Sequence, residues 1–133
     1  MTTPMTTLTN TPPQTGIVLF AHGSRDPQWH KPMEAVAAHI AAASAQTPVE
    51  CAYLEISTPD LTTATDKLIA RGVNTITVVP LFLGVGKHAR QDLPQLVTNL
   101  QNNHPEVRFT LQPAVGEDVR LIQLIANIAM ERL

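Results

Sequence analysis

Cysteine is almost absent from this chain: Cys51 is the only one in 133 residues. A single thiol excludes an intrachain disulfide and any CxxC metal knuckle, and it fits a reducing compartment. Aromatic residues are scarce, at 4%. An excess of charge is missing too, since the formal net charge is −2. That balance gives no reason to expect a nucleic-acid partner. No basic run or basic amphipathic segment points to an anionic membrane. No stretch approaches the roughly 18 consecutive apolar residues of a membrane span. The expectation is a soluble, cytoplasmic protein.

What the chain has is enough length for one domain with a real core. Its opening, MTTPMTTLTNTPPQTG, is rich in Thr and Pro and poor in bulky apolar residues. It lacks the basic start and apolar run of a secretory signal. Residues 1–14 read as a mobile tail and residues 15–133 as a single α/β domain.

A continuous apolar run, Gly16 to Ala21, has strand length and suits a strand buried on both faces. It breaks at the polar stretch His22–Pro27, after which Met33, Val36, Ala37 and Ile40 recur at helical spacing. The pattern repeats. Val49–Glu55 reads as a second strand, and Ser57-Thr58-Pro59 offers a cap and a first-turn proline for a helix carrying Leu61, Ala64, Leu68 and Ile69. Gly72 ends that helix, and the β-branched run Thr75–Pro80 is a third strand. A loop from Leu81 to about Arg90 precedes a helix marked by Leu93, Leu96, Val97 and Leu100. Val107–Leu111 is a fourth strand, and residues 116–133 form a last amphipathic helix through Val119, Ile122, Ile125 and Ala129. Four strand–helix units in alternation predict an open parallel sheet with right-handed crossovers and helices on both faces.

Ligands of such sheets bind beyond the carboxyl ends of the strands, at the switch in strand order. In a flavodoxin-like order, 2-1-3-4, the first and third strands are neighbours there. The first ends in His22, the second in Glu55, and the third leads to His88. Imidazole suits iron, cobalt, nickel or zinc and titrates near neutral pH, so it can hold a divalent ion or accept a proton. Metal insertion into a tetrapyrrole needs both abilities, because two pyrrole N–H protons leave as the ion enters. The segment Gly84-Val85-Gly86-Lys87-His88-Ala89-Arg90 places two glycines and two cations around its histidine. Gly84 and Gly86 suit close approach of a planar ligand, while Lys87, Arg90 and, beside His22, Arg25 suit substrate carboxylates. The helix beginning soon after Arg90 points its positive end the same way.

Other enzyme classes fit poorly. The glycines match neither GxxxxGK[ST] nor GxGxxG, and HGS lacks the GxSxG nucleophile elbow.

Three motifs, AHGSRDP after the first strand, YLEISTPDL after the second and VVPLFLGVGKHARQDLP after the third, resemble the short-form sirohydrochlorin chelatases of the CbiX/SirB type, class II. The resemblance spans residues 16–133 and keeps the order and spacing of the motifs. It implies a flavodoxin-like half-unit and ATP-independent insertion of Co2+ or Fe2+ into sirohydrochlorin, for cobalamin or siroheme synthesis, with no permanent cofactor. Ni2+ insertion also occurs among similar short chelatases. The resemblance assigns the metal site to His22 and His88 and the acidic residue to Glu55. It also implies a homodimer, since longer relatives hold two such units.

Plainer roles stand beside these. Glu55 as a structural carboxylate fixes a histidine or caps the next helix, and Ser24 caps the first helix or its opening turn as readily as it touches substrate. His30, His39 and His104 read as surface or structural residues, Cys51 as a small core residue, and Trp29 as packed at the helix start or over the ring. A non-catalytic metal or tetrapyrrole carrier would use the same histidines.

Overall fold

The computed structural model describes residues 14–131. Four strands, β1 (Thr15–Ala21), β2 (Val49–Tyr53), β3 (Thr75–Pro80) and β4 (Arg108–Leu111), alternate with four helices, α1 (Lys31–Ala43), α2 (Leu61–Ala70), α3 (Lys87–Asn103) and α4 (Val119–Met130). Short 3-10 turns at Pro27–His30 and Val115–Glu117 precede α1 and α4. The sheet order is β2-β1-β3-β4 and every pairing is parallel, as expected for a flavodoxin-like unit. The expected tail over residues 1–13 lies outside the described residues. Gln14, assigned to that tail, is paired: its N–H donates to Asn74 Oδ1 at 2.8 Å.

β1 is apolar from Gly16 to Ala21 because it lies inside the sheet and is covered on both sides. Val18 and Phe20 face one side and Leu19 and Ala21 the other, all at most 2% exposed. On the first side, Val18, Phe20, Ala52, Ile76 and Val78 meet Leu61, Ala64 and Leu68 of α2 and Leu93 and Leu100 of α3 in one continuous core. On the second side α1 packs over β2, with Cys51 Sγ lying 3.7 Å from the Met33 carbonyl. Burial raises the Cys51 thiol's pKa, and Glu34 and Glu50 add to the effect, so it is a poor source of thiolate.

β3 is covered on one side only. Ile76, Val78 and Pro80 are buried, whereas Thr75, Thr77 and Val79 are half-exposed. The helix that could lie over them, α4, packs instead against the 3-10 turn at its own start, and none of its residues is buried.

Three local expectations need correction. The cap of α2 is Asp60, whose carboxylate accepts from the Thr63 N–H at 2.8 Å. Ser57 is drawn away into a loop contact, and Pro59 precedes the cap, in a cis peptide with Thr58. α3 begins at Lys87, three residues before Arg90, because Gly86 caps it and Arg90 N–H already donates to the Gly86 carbonyl at 3.1 Å. The last helix starts at Val119 rather than at residue 116, since Asp118 caps it by accepting from the Arg120 N–H at 2.8 Å.

Candidate active site

The carboxyl ends of β1, β2 and β3 are joined before any side chain is considered. Leu54 N–H donates to Ala21 O at 2.8 Å, Glu55 N–H to His22 O at 3.0 Å, and Leu81 N–H to Phe20 O at 2.7 Å. His22 and Glu55 are thus held side by side through their backbones. The His22 imidazole is exposed and rests on Phe82, with ring centroids 4.4 Å apart. Phe82 is itself only 3% exposed, so the histidine has an apolar base and a solvent-facing edge.

Gly23 makes this junction possible. Its φ is +108°, and a Cβ there would lie 1.9 Å from the Glu55 carbonyl oxygen, so no other residue fits. Ser57 then fastens the two loops together. Its hydroxyl donates to Ser24 O at 2.8 Å and accepts from Ser24 N–H at 2.9 Å. With that single proton committed, His30 Nε2 is the donor in its 2.8 Å bond to Ser57 Oγ. Tyr53 backs the imidazole of His30 at 4.8 Å, and burial pushes the Tyr53 phenol up to about 12. Trp29 packs at the helix start against His30 and Tyr53, with centroids at 5.8 and 6.2 Å. Ser24 serves the loop as well, accepting from Asp26 N–H at 3.1 Å.

Strain concentrates at Ile56. It has φ +70° and lies between Glu55 O and the Ser57 N–H that donates to it at 2.7 Å. An i to i+2 bond around a β-branched residue of positive φ is the rare hand of γ-turn, and such strain gathers at ligand sites. The Ile56 side chain is 62% exposed, and Leu83, in the loop after β3, is 68% exposed.

His88 is the second residue of α3, not a loop residue, and is exposed. The helix start carries no side-chain cap, so its first N–H groups have no side-chain acceptor. Arg90 folds its guanidinium back onto Val85 O at 3.2 Å, steadying the segment before the helix. Gly84 and Gly86 have ordinary negative-φ backbone and open space around them. Among the described residues, Arg25, Lys87 and Arg90 form no ion pair with a carboxylate. Arg25 and Lys87 therefore keep their charge uncompensated by a carboxylate among the described residues, while Arg90 is engaged by a backbone carbonyl.

A residue the sequence reading missed holds the third loop. Gly116 N–H donates to Phe82 O at 3.0 Å, and a Cβ on Gly116 would sit 1.6 Å from Leu83 O. A lone glycine just after a strand was the available signal, and it was absorbed into the expected helix. His104 sits at the far end of the sheet, 3.5 Å from Asp66, and takes no part in this rim.

No group of three or more His, Cys, Asp or Glu side chains converges on one point among the described residues. Glu55 shares a backbone junction with His22 but does not complete a three-ligand cluster with the histidines. A cavity of about 600 Å3 lies on the α2 side of the second loop, lined by Glu55, Ile56, Ser57, Asp60, Thr63 and Lys67 among others, and it includes neither imidazole. The surface over His22 and His88 is open. Such a rim can offer one or two neutral nitrogen donors, proton acceptance and free positive charge.

An open parallel sheet of order 2-1-3-4 with helices after each strand defines a flavodoxin-like α/β unit, whose switch point is where such folds bind ligands. The sequence profile of CbiX matches residues 16–132. This chain belongs to the CbiX family. It is 33% identical over 121 residues to the sirohydrochlorin cobaltochelatase of Saccharolobus solfataricus, covering 89% of this chain and 92% of that one. It is 29% identical over 119 residues to the sirohydrochlorin cobaltochelatase of Sulfolobus acidocaldarius, again covering 89% and 92%. Among solved structures, a protein assigned as CbiX from Marinobacter aquaeolei superposes with TM-score 0.77 at 33% identity, over 89% of this chain and 96% of that one. The sirohydrochlorin chelatase SirB from Bacillus subtilis, solved with cobalt, shares the fold with TM-score 0.75 at 23% identity; 89% of this chain covers 50% of SirB.

Proposed function

We propose that this protein is a sirohydrochlorin chelatase that inserts Co2+ or Fe2+ without ATP, and that His22 and His88 are its catalytic and metal-handling residues. The observation that carries this reading is the pair of exposed imidazoles that follow the neighbouring strands β1 and β3, His22 directly after β1 and His88 at the start of α3, with Arg25 and Lys87 close by in sequence and free of carboxylate partners among the described residues. Relatives of nearly the same length that bear the name sirohydrochlorin cobaltochelatase support it.

The chemistry follows from the donor set. The metal is a substrate, so it has to be held and then released. Two neutral imidazoles hold a borderline divalent ion with its remaining positions open to water or ring nitrogens. As the ion passes to the ring, the two pyrrole N–H protons leave, and the charge balances: one dication enters and two protons depart. A freed imidazole accepts a proton, with Glu55 beside His22 as the next acceptor. Arg25, Lys87 and Arg90 pair with the carboxylates that fringe the ring. Ser24, Gly84 and Gly86 line the approach, the hydroxyl held by its loop and the glycines leaving room for a flat macrocycle.

A homodimer in the cytoplasm completes the proposal. No helix among the described residues is long and apolar enough to cross a membrane. Service to cobalamin or siroheme synthesis depends on which metal is used.

The test is an anaerobic absorbance assay with sirohydrochlorin and Co2+, Fe2+ or Ni2+ in turn, each against an enzyme-free control. Catalysed conversion with turnover is expected and ranks the metals. Stoichiometric binding without acceleration would replace the enzyme by a carrier. His22→Ala and His88→Ala are each expected to lower the metallation rate by about 100-fold or more while leaving the circular dichroism spectrum unchanged, because both side chains are exposed. Normal rates in both variants would overturn the site assignment.

A further inference from the structure

His30 ends the 3-10 turn Pro27–His30 and stands at the cap of α1, yet its side chain makes no bond to that helix. The free N–H groups of a helix start are the nearest partners for a polar side chain placed there. The His30 imidazole crosses to another loop, and Nε2 donates to Ser57 Oγ, 27 positions away, at 2.8 Å. Its ring is half-buried and kept in place by Trp29 and Tyr53. Ser57 Oγ then has nothing left to offer. Its proton goes to Ser24 O, and its lone pairs take Ser24 N–H and His30. Those two Ser24 groups belong to the peptides on either side of the residue, so one oxygen fixes both planes.

The bonds continue into a closed circle. Ser24 Oγ accepts from Asp26 N–H at 3.1 Å, and Asp26 accepts from Gln28 N–H at 2.9 Å and from Trp29 N–H at 3.0 Å. That returns to the turn which carries His30. Arg25 is enclosed by the circle: the carbonyl before it and the N–H after it are both held. Its side chain is exposed and, among the described residues, has no carboxylate partner.

We propose that His30 is a positioning residue for tetrapyrrole binding, holding Ser57 on the peptides around Ser24 so that Arg25 is aimed at a carboxylate of the ring. It rests on the role proposed above for Arg25 and goes beyond it by naming what holds that cation. His22 depends on the circle less. Its carbonyl is tied to Glu55 N–H and its imidazole rests on Phe82, and neither contact passes through Ser57. Loss of His30 therefore falls on the ring and not on the metal. A residue that merely supported the fold would weaken both.

The test uses the full chain and two readouts. One is sirohydrochlorin binding without metal, followed by the tetrapyrrole's own absorbance, and the other is steady-state metallation with Co2+. His30→Phe keeps an aromatic ring beside Trp29 and Tyr53 and removes the donor, whereas His30→Gln returns a donor N–H. His30→Phe is expected to raise the Kd and the KM for sirohydrochlorin about 10-fold, with kcat and the KM for Co2+ within about 2-fold of the natural chain. His30→Gln is expected to recover most of that loss. Ser57→Ala opens the same clasp from the other loop and is expected to match His30→Phe. In an Arg25→Ala background, His30→Phe is expected to add nothing, because its effect runs through that guanidinium. An unchanged Kd in His30→Phe, with natural metallation, overturns the role of His30 and leaves the chelatase standing. Equal losses for ring and metal, or a full further loss in the Arg25→Ala background, overturn it and leave His30 a support for the fold. A natural chain that binds no sirohydrochlorin overturns both readings.

Discussion

Thr65 is the one buried side chain among the described residues whose polar atom has no partner: the residue is 0% exposed, in α2. A buried hydroxyl without a hydrogen bond has lost its water and gained nothing in return. Replacing it with Val keeps the shape and the β-branch at similar helix propensity. Thr65→Val is expected to raise stability by about 1 kcal/mol, read as a higher urea midpoint with an unchanged m-value at fixed protein concentration. A lower midpoint would mean the hydroxyl is satisfied in solution. At this scale the sequence disclosed chemistry better than geometry. The places of His22 and Glu55 just beyond neighbouring strands were legible because both follow apolar runs, whereas His88 was expected on a loop and stands in α3. Gly23 was read only as part of a turn, although the Glu55 carbonyl lies where its Cβ would be, and a neighbour 32 positions away leaves no local trace. Ser57 was read as a cap for the same reason: its real partners, Ser24 and His30, lie on another loop.

Elements were legible wherever apolar spacing was strong. All four strands and all four helices stand close to where periodicity placed them, and the errors fall at helix starts. Residues 87–92 of α3 are polar apart from Ala89, so no apolar rhythm announces the helix until Leu93, and Pro94 inside it mimics a beginning. The start of α4 offers a pH test. Asp118 accepts hydrogen bonds from the Arg120 side chain at 2.7 and 3.0 Å and from its N–H at 2.8 Å, and these lower its carboxyl from 3.8 to about 2. A carboxyl whose pKa is lowered on folding stabilises the helix above its ordinary value and stops doing so as pH falls through the lowered one. The helicity advantage of the natural chain over Asp118→Ala, followed by far-ultraviolet circular dichroism, is expected to persist down to about pH 4 and to close by about pH 2. An advantage independent of pH would show that the ionised cap is not what holds this end.

For the whole molecule, alternation alone predicted the parallel sheet, and the resemblance supplied the 2-1-3-4 order that the structure bears out. The position of α4 was not legible. An amphipathic stripe says that a face will be covered and is silent about which chain covers it. The homodimer proposal makes the apparent activity a function of chain concentration. Specific metallation rate is expected to fall on dilution in step with the mass seen by light scattering, and to recover on reconcentration. A monomer with full activity would refute the dimer.

The fastening of the His22 and Glu55 loops by Gly23, Ser57 and His30 has a thermodynamic consequence. A loop whose carbonyls, amides and one hydroxyl are already spoken for has little freedom left to lose when substrate arrives. The entropy of ordering it is spent once, during folding, and not again in every catalytic cycle. On the role proposed for His22, preference among metals would then reside in how readily each ion sheds its water and fits the macrocycle, since a fastened loop cannot reshape itself to favour one.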